Sequence, residues 1–430
     1  MNRNRQIEEN RGNRRITVSL GADVSEGYVL RYAQMSDTEN VDAAASEHFE
    51  FNSIAMGLET PQQIGERLAA QVIATLDARE EQPERIACDL YPKFPTTYAA
   101  EVLSEHYQVP MLRMQKCHRA ILDAMDRREN VLGVCLDDLS YGSDGTLWGG
   151  EILEISGEGF TRLASIHPYQ LIGTNMELHS STPWQTAVSM FYDLARMAHN
   201  EDEAIRDFVA KQAASEKVHL LDLCSLNDAR AQYIAQDRNK NTTRSTAASG
   251  LFDAAAAILG FQRISTPTGR TPMEALAEAA EAFEHDGKSK SQIDTLYAKL
   301  EKLIAAAEEM DDPTLEPGDL WEDTDDGAFS EISADDSPDI LHTEQLIRLL
   351  ADERIRYLTS LGKRNYDRPL NRKHPDCGSA DDNSRLLAWF LLDALATTTI
   401  QYCRGHNALN ITFAGNYLKS GYLLDVFETK

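Results

Sequence analysis

The chain has 430 residues, enough for two or three domains, and its 42% hydrophobic and 26% charged residues are typical of a soluble globular protein. Its formal net charge of −27 argues against a general nucleic-acid-binding surface, because such a surface needs a basic face. No apolar run approaches the ~20 residues that span a bilayer, and the polar start lacks the apolar core of a secretory signal. Six scattered cysteines without a C-x-x-C pair indicate reduced thiols and predict a cytoplasmic protein.

The first part of the chain alternates short strands and helices. Residues 1–14 are predicted to be a disordered tail, and an Asp-, Ser- and Ala-rich loop is predicted over 36–47, after a first hairpin. The order of elements up to residue 130 is β-β-α-β-α-β-α, and a new hairpin follows it. This order predicts one α/β lobe over 15–130 and a second α/β lobe over 131–430.

The stretch from residue 131 to residue 151 is the centre of the sequence. Val131 to Leu136 is predicted to be a buried strand that ends at Asp137, and a loop of small residues and glycines leads to a second strand around Trp148. In such an arrangement the backbone N–H groups of the turn can contact phosphate oxygens. An ordinary glycine-rich hairpin remains the alternative, because short glycine motifs also match by chance.

A second turn of small residues covers Ser245 to Gly250 and leads into an apolar helix, Leu251 to Leu259. Free N–H groups and the helix dipole at such a start favour an anion, although a well-capped core helix has the same pattern. Further along, the acidic segment 311–339 is predicted to be a solvated loop inserted in the second lobe. Helices over 343–361 and 386–402 and a late strand over 410–415 complete the prediction.

Taken in order, these motifs resemble the carbamoyltransferase domain of HypF, a hydrogenase maturation factor, and the related TsaD-like carbamoyltransferases. The resemblance covers about 16–283 and, more weakly, 386–425. The matching motifs are Asp89-Leu-Tyr-Pro92, Asp137…Tyr141-Gly142-Ser-Asp144-Gly145…Trp148-Gly149-Gly150-Glu151, Gly159-Phe160, Pro183-Trp184, Ser249-Gly-Leu-Phe-Asp-Ala254 and Thr268-Gly269…Met273-Glu274.

The resemblance implies an α/β fold of the two-lobed actin/hexokinase-like (ASKHA), TsaD-like type. It implies that ATP or carbamoyl-adenylate binds between the lobes near a divalent metal, iron or zinc, and that the carbamoyl carbon passes to a protein thiol, as in nickel–iron hydrogenase maturation. The implied partners are the nucleotide, a HypE-like acceptor protein and a YrdC-like donor enzyme. Neither a membrane nor a nucleic acid is an expected partner.

The same resemblance assigns functional positions. The catalytic positions it implies are Lys116, His118 and Asp137, with Asp137 also as a metal ligand. The nucleotide-binding positions it implies are Tyr141, Gly142, Asp144, Gly145, Gly149, Gly150, Glu151, Ser249, Gly250, Asp253, Gly269, Gly415 and Asn416.

The metal-binding segment departs from the family. The family holds its metal with two histidines one helical turn apart, with an aspartate in the central loop and with a late aspartate. The two histidine positions match Lys116 and Ala120, with His118 between them, and the late aspartate falls beyond residue 430. Asp137 alone is kept, and one ligand of four does not hold a divalent ion tightly. Lys116 could instead place an ammonium group where the metal lies.

Two loops depart as well, because Asp138 replaces a family glycine and Gly250 replaces a family arginine. Three functions therefore remain open. The chain is an active HypF-like carbamoyltransferase, or a catalytically degenerate relative that binds a nucleotide or a partner without the metal site. The third is a small-molecule kinase of the same superfamily, because Ile411 to Lys419 is similar to a late strand of pantothenate kinases.

Overall fold

The computed structural model describes residues 14–21, 27–34, 45–49, 59–125, 131–156, 159–172, 182–197, 203–237, 242–264, 270–283, 287–309, 338–361, 381–406, 410–419 and 421–430. It has two compact units. Unit 1 comprises Met1–Glu129 and Ser140–Ser143, and unit 2 comprises Asn130–Leu139 and Asp144–Lys430. The predicted tail up to residue 13 and the acidic insertion up to residue 337 lie outside the described residues.

Unit 1 has a mixed sheet and, in its described part, three helices. The strands are β1 (Arg14–Leu20), β2 (Tyr28–Gln34), β3 (Ala45–Phe49), β4 (Arg85–Asp89) and β5 (Met111–Met114), and the helices are α1 (Pro61–Ala78), α2 (Pro95–Tyr107) and α3 (Lys116–Ala124). The strand order is β3-β2-β1-β4-β5. β1 pairs with β2, and β2 with β3, in antiparallel fashion, whereas β1 and β4, and β4 and β5, are parallel.

Helix α1 shows how the sequence determines this half. Thr60 forms a capping box with Gln63, and Pro61 occupies the first turn, where no N–H partner is needed. One stripe of the helix is buried against the sheet, and the residues of this stripe are Ile64, Leu68, Val72 and Leu76. The amphipathic pattern thus orients the helix, as the sequence predicts.

The prediction of a loop over 36–47 is wrong for its last residues, because strand β3 begins at Ala45. β3 pairs with β2, and the ring of Phe49 stacks on Tyr28 with 4.9 Å between centroids. The five residues of β3 have no alternating apolar pattern of their own. The strand forms because pairing across the sheet outweighs the weak local preference.

Unit 2 contains the remaining elements, except that the last two residues of β6, Ser140 and Tyr141, belong to unit 1. Its strands are β6 (Val131–Tyr141), β7 (Leu147–Ser156), β8 (Gly159–Ile166), β9 (Tyr169–Ile172), β10 (Thr242–Ser245), β11 (Asp339–Leu341) and β12 (Asn410–Ala414). Its described helices are α4 (Pro183–Met197), α5 (Glu203–Leu220), α6 (Leu226–Asp237), α7 (Ala248–Leu259), α8 (Pro272–Glu281), α9 (Gly287–Glu308), α10 (Thr343–Ser360), α11 (Asp382–Gly405) and α12 (Tyr422–Glu428).

The seven-stranded sheet of unit 2 has the order β11-β8-β7-β10-β9, and β6 pairs with both β7 and β12. β6 and β12 are parallel, as are β8 and β11, whereas β7 and β8 are antiparallel. Strand β6 continues to Tyr141 and does not end at Asp137 as predicted. Pairing with β7 extends the strand beyond its apolar part, with the Asp138 side chain exposed and Ser140 buried.

Two helices of unit 2, α7 and α11, have features that the sequence pattern alone does not determine. α7 begins at Ala248, so the last residues of the predicted small-residue turn form its first helical turn. α11 is long and apolar enough to cross a membrane by length and composition alone. Two thirds (67%) of its most apolar window is buried inside the protein, and core helices of soluble proteins share this property.

Candidate functional site

Three segments of unit 2 meet at Asp137 and Asp138 of β6. Gly149 lies so close to its neighbours that an added Cβ would be 2.6 Å from the Asp138 carbonyl oxygen and 2.7 Å from that of Asp137. The same Cβ would be 3.0 Å from the Cα of Ala247, which precedes α7. Because these are backbone atoms, no side-chain movement would relieve the clash. The glycine is therefore required for the approach of the β6–β7 hairpin to the start of α7.

The turn after β12 completes this meeting point. Gly415 has φ +88° and packs so closely against the Leu136 carbonyl group that a side chain at position 415 would clash with it. The next two residues donate hydrogen bonds to the Asp138 carboxylate, Asn416 Nδ2 at 3.2 Å and the Tyr417 hydroxyl to the other oxygen. The structure thus brings together the predicted positions at Asp137, Gly149, Gly150, Gly415 and Asn416.

The partly buried Arg162 organises the turn between β6 and β7. Asp144 Oδ1 accepts hydrogen bonds from the backbone N–H of Thr146 and from Trp148 Nε1, both at 2.9 Å. Asp144 Oδ2 pairs with Arg162 Nη1 at 2.8 Å, and the Arg162 guanidinium lies 4.0 Å from the centre of the Trp148 ring. Gly145, with φ +77°, lets the turn close around this carboxylate. Asp144 therefore holds the turn in shape.

Glu151 occupies the place where the sequence predicts contacts with phosphate. Its side chain is fully buried, and its Oε2 accepts a hydrogen bond from Arg162 Nε at 2.7 Å. Its Oε1 accepts hydrogen bonds from the backbone N–H groups of Gly149 at 3.2 Å and Gly150 at 3.4 Å, and from the Thr246 hydroxyl. The two glycine amides thus point at a carboxylate of the chain itself.

Tyr169 fills the start of α7, where the sequence predicts a second anion site. The tyrosine is 3% exposed, and its hydroxyl donates to the Ala247 carbonyl oxygen at 3.0 Å. A Cβ on Gly250 would overlap the Tyr169 ring. Gly250 therefore makes room for this ring, while Ser249 on the same turn is half-buried. Sequence reasoning missed Tyr169, because the only signal for it is the arginine-to-glycine change at position 250.

Two acidic side chains, Asp138 and Asp253, interact electrostatically near the turn after β12. Burial raises the pKa of Asp253 to about 8, and the nearby Asp138 carboxylate adds to the shift. Burial and the same Asp138 carboxylate also raise the pKa of Tyr417 well above its usual value. In the described part of the chain, no Lys, Arg or His forms an ion pair with Asp138 or Asp253. Asp253 consequently carries its proton for much of the time at neutral pH.

The predicted catalytic positions Lys116 and His118 lie in unit 1, on α3. Gln115 caps the helix by accepting a hydrogen bond from the His118 N–H at 3.1 Å, and Lys116 is 4% exposed. Arg31 and Arg119 both pair with Asp123, Arg119 at 3.1 Å. Burial and, to a smaller extent, the positive charge of Arg31 lower the pKa of His118 to about 4. The imidazole is therefore neutral at neutral pH.

These surroundings do not fit a divalent metal. The position one turn after Lys116 is Ala120, which has no ligand atom, and the buried charges around His118 are cationic side chains. The carboxylate of Asp123 already pairs with two arginines. Among the residues that the structure describes, no group of three His, Cys, Asp or Glu side chains could hold a metal ion. The segment that binds metal in the family is here a cationic, ion-paired helix.

Three predicted positions remain. Tyr141 and Gly142 belong to unit 1, where the Tyr141 ring stacks on Tyr91 with 4.7 Å between centroids. Burial raises the pKa of Tyr141 to about 12, and the neighbouring Tyr91 and Asp89 contribute. Gly269 lies outside the described residues.

Comparisons with known proteins find sequence matches to part of unit 2. Residues 133–320 match the family model of the carbamoyltransferase, Kae1-like domain, second subdomain. A carbamoyltransferase HypF homolog of Cupriavidus necator is 31% identical over 215 residues, which are 49% of this chain and 47% of that protein. The carbamoyltransferase HypF of Rhizobium leguminosarum bv. viciae is 30% identical over 266 residues, 60% of this chain and 30% of that protein. The chain thus spans about half or less of these relatives.

Solved structures give the same fold. A crystal structure of full-length HypF in the phosphate- and nucleotide-bound form superposes with a TM-score of 0.60 at 15% identity, over 96% of this chain and 50% of that one. The crystal structure of T. kodakarensis HypF has the same score and identity over 97% of this chain and 44% of that one. The predicted α/β fold of the actin/hexokinase-like, TsaD-like type is therefore confirmed. Over residues 133–320 the chain is similar to the second subdomain of the Kae1-like carbamoyltransferase domain, and over about half of its length it is similar to HypF carbamoyltransferases.

Proposed function

We propose that the chain is a HypF-related binding protein that holds an adenosine-type ligand in unit 2 and has lost metal-assisted carbamoyl transfer. The observation that carries this proposal is the environment of α3. The positions that match the family's histidines are Lys116 and Ala120, and the surrounding charges repel a cation.

Ligand binding is supported by unit 2. Its family region, residues 133–320, contains the close approach of Gly149 to β6 and to the start of α7. One solved relative with this fold is described as phosphate- and nucleotide-bound. The three segments that meet at Asp137 and Asp138 come from distant parts of the sequence, and such convergence of turns at strand ends is where α/β folds bind small molecules. The proposed location is the cytoplasm.

A second candidate function is carbamoyl transfer itself. It is favoured by the retained Asp137 and by the Trp148-Gly149-Gly150-Glu151 turn within the matched family region. In that reaction a thiolate of a HypE-like acceptor attacks the carbamoyl carbon of carbamoyl-adenylate. The new C–S bond forms as the C–O bond to the phosphate breaks, AMP leaves, and the thiol proton is lost to a base or to water. A YrdC-like enzyme would supply the carbamoyl-adenylate.

A transfer assay decides between the two candidates. The full chain is mixed with carbamoyl-adenylate, generated in place by a YrdC-like enzyme, and with a peptide that ends in cysteine. Mass spectrometry then follows the carbamoyl group, and an authentic HypF serves as the positive control. We expect no S-carbamoyl peptide above the rate without the chain. Transfer above that rate would establish the second candidate and overturn the first.

A further inference from the structure

Both places where the sequence predicts an anion are occupied by side chains of the chain itself. The carboxylate of Glu151 takes the amides of Gly149 and Gly150, and its charge is balanced by Arg162. The ring of Tyr169 covers the start of α7 and overlaps the space beside Gly250. A phosphate would have to displace a buried, paired group at either place, which costs several kcal/mol in typical proteins.

Asp138 on β6 adds a fixed negative charge. Asp138 stands where the family has glycine, and its side chain is exposed. Its two carboxylate oxygens accept hydrogen bonds from Asn416 and from Tyr417. These bonds keep the carboxylate in place, because turning it away would break both. The nearest cation on the same turn, Lys419, donates to Asn416 Oδ1 at 3.1 Å.

Asp253 adds no second fixed charge, because its raised pKa of about 8 keeps it largely protonated at neutral pH. It projects from α7 and interacts with the Asp138 carboxylate, and no cation among the described residues pairs with either group. A phosphate placed next to Asp138 would meet its negative charge, and no cation among the described residues pairs with that carboxylate to offset the repulsion. An uncharged ligand meets no such cost, and its hydroxyl groups can donate hydrogen bonds to the Asp138 carboxylate.

We infer that Asp138 is a specificity-determining residue that makes the unit 2 site select an uncharged nucleoside over the corresponding nucleotides. This inference rests on the proposed function, because it names the class of ligand that the same site takes. It concerns a residue at which the chain departs from its family, and it opposes the nucleotide that the family resemblance implies.

The test is isothermal titration calorimetry of the full chain with adenosine, AMP and ATP at pH 7.5 in buffer that contains EDTA. We expect adenosine to bind most tightly, AMP more weakly and ATP most weakly, with a total loss on the order of tenfold or more. In Asp138→Asn and in Asp138→Gly the ratio of the ATP to the adenosine dissociation constant should fall toward one. Asp294→Asn, the same change at an exposed position of α9, should leave the ratio as in the wild type.

The outcomes separate the two proposals. Binding of ATP as tightly as adenosine by the wild type, or an unchanged ratio in both Asp138 variants, would overturn the inference and leave the proposed nucleoside-type site in place. Failure of adenosine, AMP and ATP alike to bind would overturn the proposed function itself, and the inference with it. Two variants are used because Asn keeps the side-chain size while Gly restores the family residue.

Discussion

The α3 segment of unit 1 and the meeting point of β6, α7 and β12 in unit 2 carry opposite charges. In unit 1, burial and Arg31 keep the imidazole of His118 neutral, with a pKa of about 4. In unit 2, burial and Asp138 favour the protonated form of Asp253, with a pKa of about 8. Each region disfavours the charged form of one central side chain and surrounds it with charges of the same sign.

This difference teaches how the family's functional positions have changed. Of the two histidine positions implied by the family, one is Lys116 and the other is Ala120 in unit 1, and the turn expected to meet a phosphate has gained the Asp138 carboxylate in unit 2. In both regions the new charges are held by neighbours in the same unit, Asp123 for the arginines and Asn416 with Tyr417 for Asp138. The changes therefore belong to well-packed surroundings and not to a loosened site.

The largest expected effect comes from removing the arginine of unit 2. Arg162→Ala leaves the fully buried Glu151 carboxylate without its charge partner, and breaking such a pair costs about 3–5 kcal/mol. Chemical denaturation followed by circular dichroism measures the loss. The control is Arg356→Ala, which removes an ion pair from an arginine that is 63% exposed and should change stability by about 0.5 kcal/mol or less. Equal losses in the two variants would show that Glu151 does not depend on Arg162.

Gly149→Ala tests the close approach within unit 2. The added methyl group would lie 2.6 Å and 2.7 Å from two backbone carbonyl oxygens, so we expect a loss of about 3 kcal/mol in the free energy of unfolding. At Gly159 the nearest atom is 3.8 Å from the added Cβ, so Gly159→Ala is the matched control and should be almost neutral. A stable Gly149→Ala variant would contradict the proposed packing of the three segments.

His118 should make unit 1 sensitive to acid. Its pKa is lowered from 6.5 to about 4, so the unfolded chain takes up a proton between these pH values while the folded chain does not. The folded state therefore loses roughly 3 kcal/mol of stability as the pH falls from 6.5 to 4. Denaturation curves at pH 7 and pH 5 measure the first part of this loss. His118→Asn should reduce the difference between them, whereas His106→Asn, at an exposed position of α2, should not.

Asp253 should have the opposite dependence and a smaller effect. Its pKa is raised from 3.8 to about 8, so the folded state holds the proton more tightly and loses stability as the pH rises between these values. Asp253→Asn imitates the protonated acid and should gain about 1 kcal/mol over the wild type between pH 5 and pH 8. The gain is reduced because solvent reaches the half-buried side chain. A pH-independent difference would show that Asp253 ionises as an ordinary surface aspartate.

Local patterns were enough to predict part of this molecule. The apolar stripe of α1, the buried start of β6 and the glycines near residue 149 follow from periodicity and from steric limits. β3 and the end of β6 were mispredicted because pairing with neighbouring strands decides them. The ring of Tyr169 beside Gly250 and the pairing of Arg162 with Glu151 depend on contacts between residues far apart in the sequence. The neutral state of His118 likewise depends on Arg31, which lies on another strand.

The most direct test of the account is the metal stoichiometry of the full chain after dialysis against ferrous iron or zinc. Mass spectrometry of the dialysed protein should find no tightly bound metal in the wild type. The reason is that α3 lacks a pair of ligands and that the charge around it is positive. Lys116→His/Ala120→His restores the pair but leaves Arg31 and Arg119 nearby, so it should bind metal more weakly than Lys302→His/Ala306→His, a matched pair on the exposed face of α9. One tightly bound metal per chain in the wild type, lost in His118→Asn, would contradict the account.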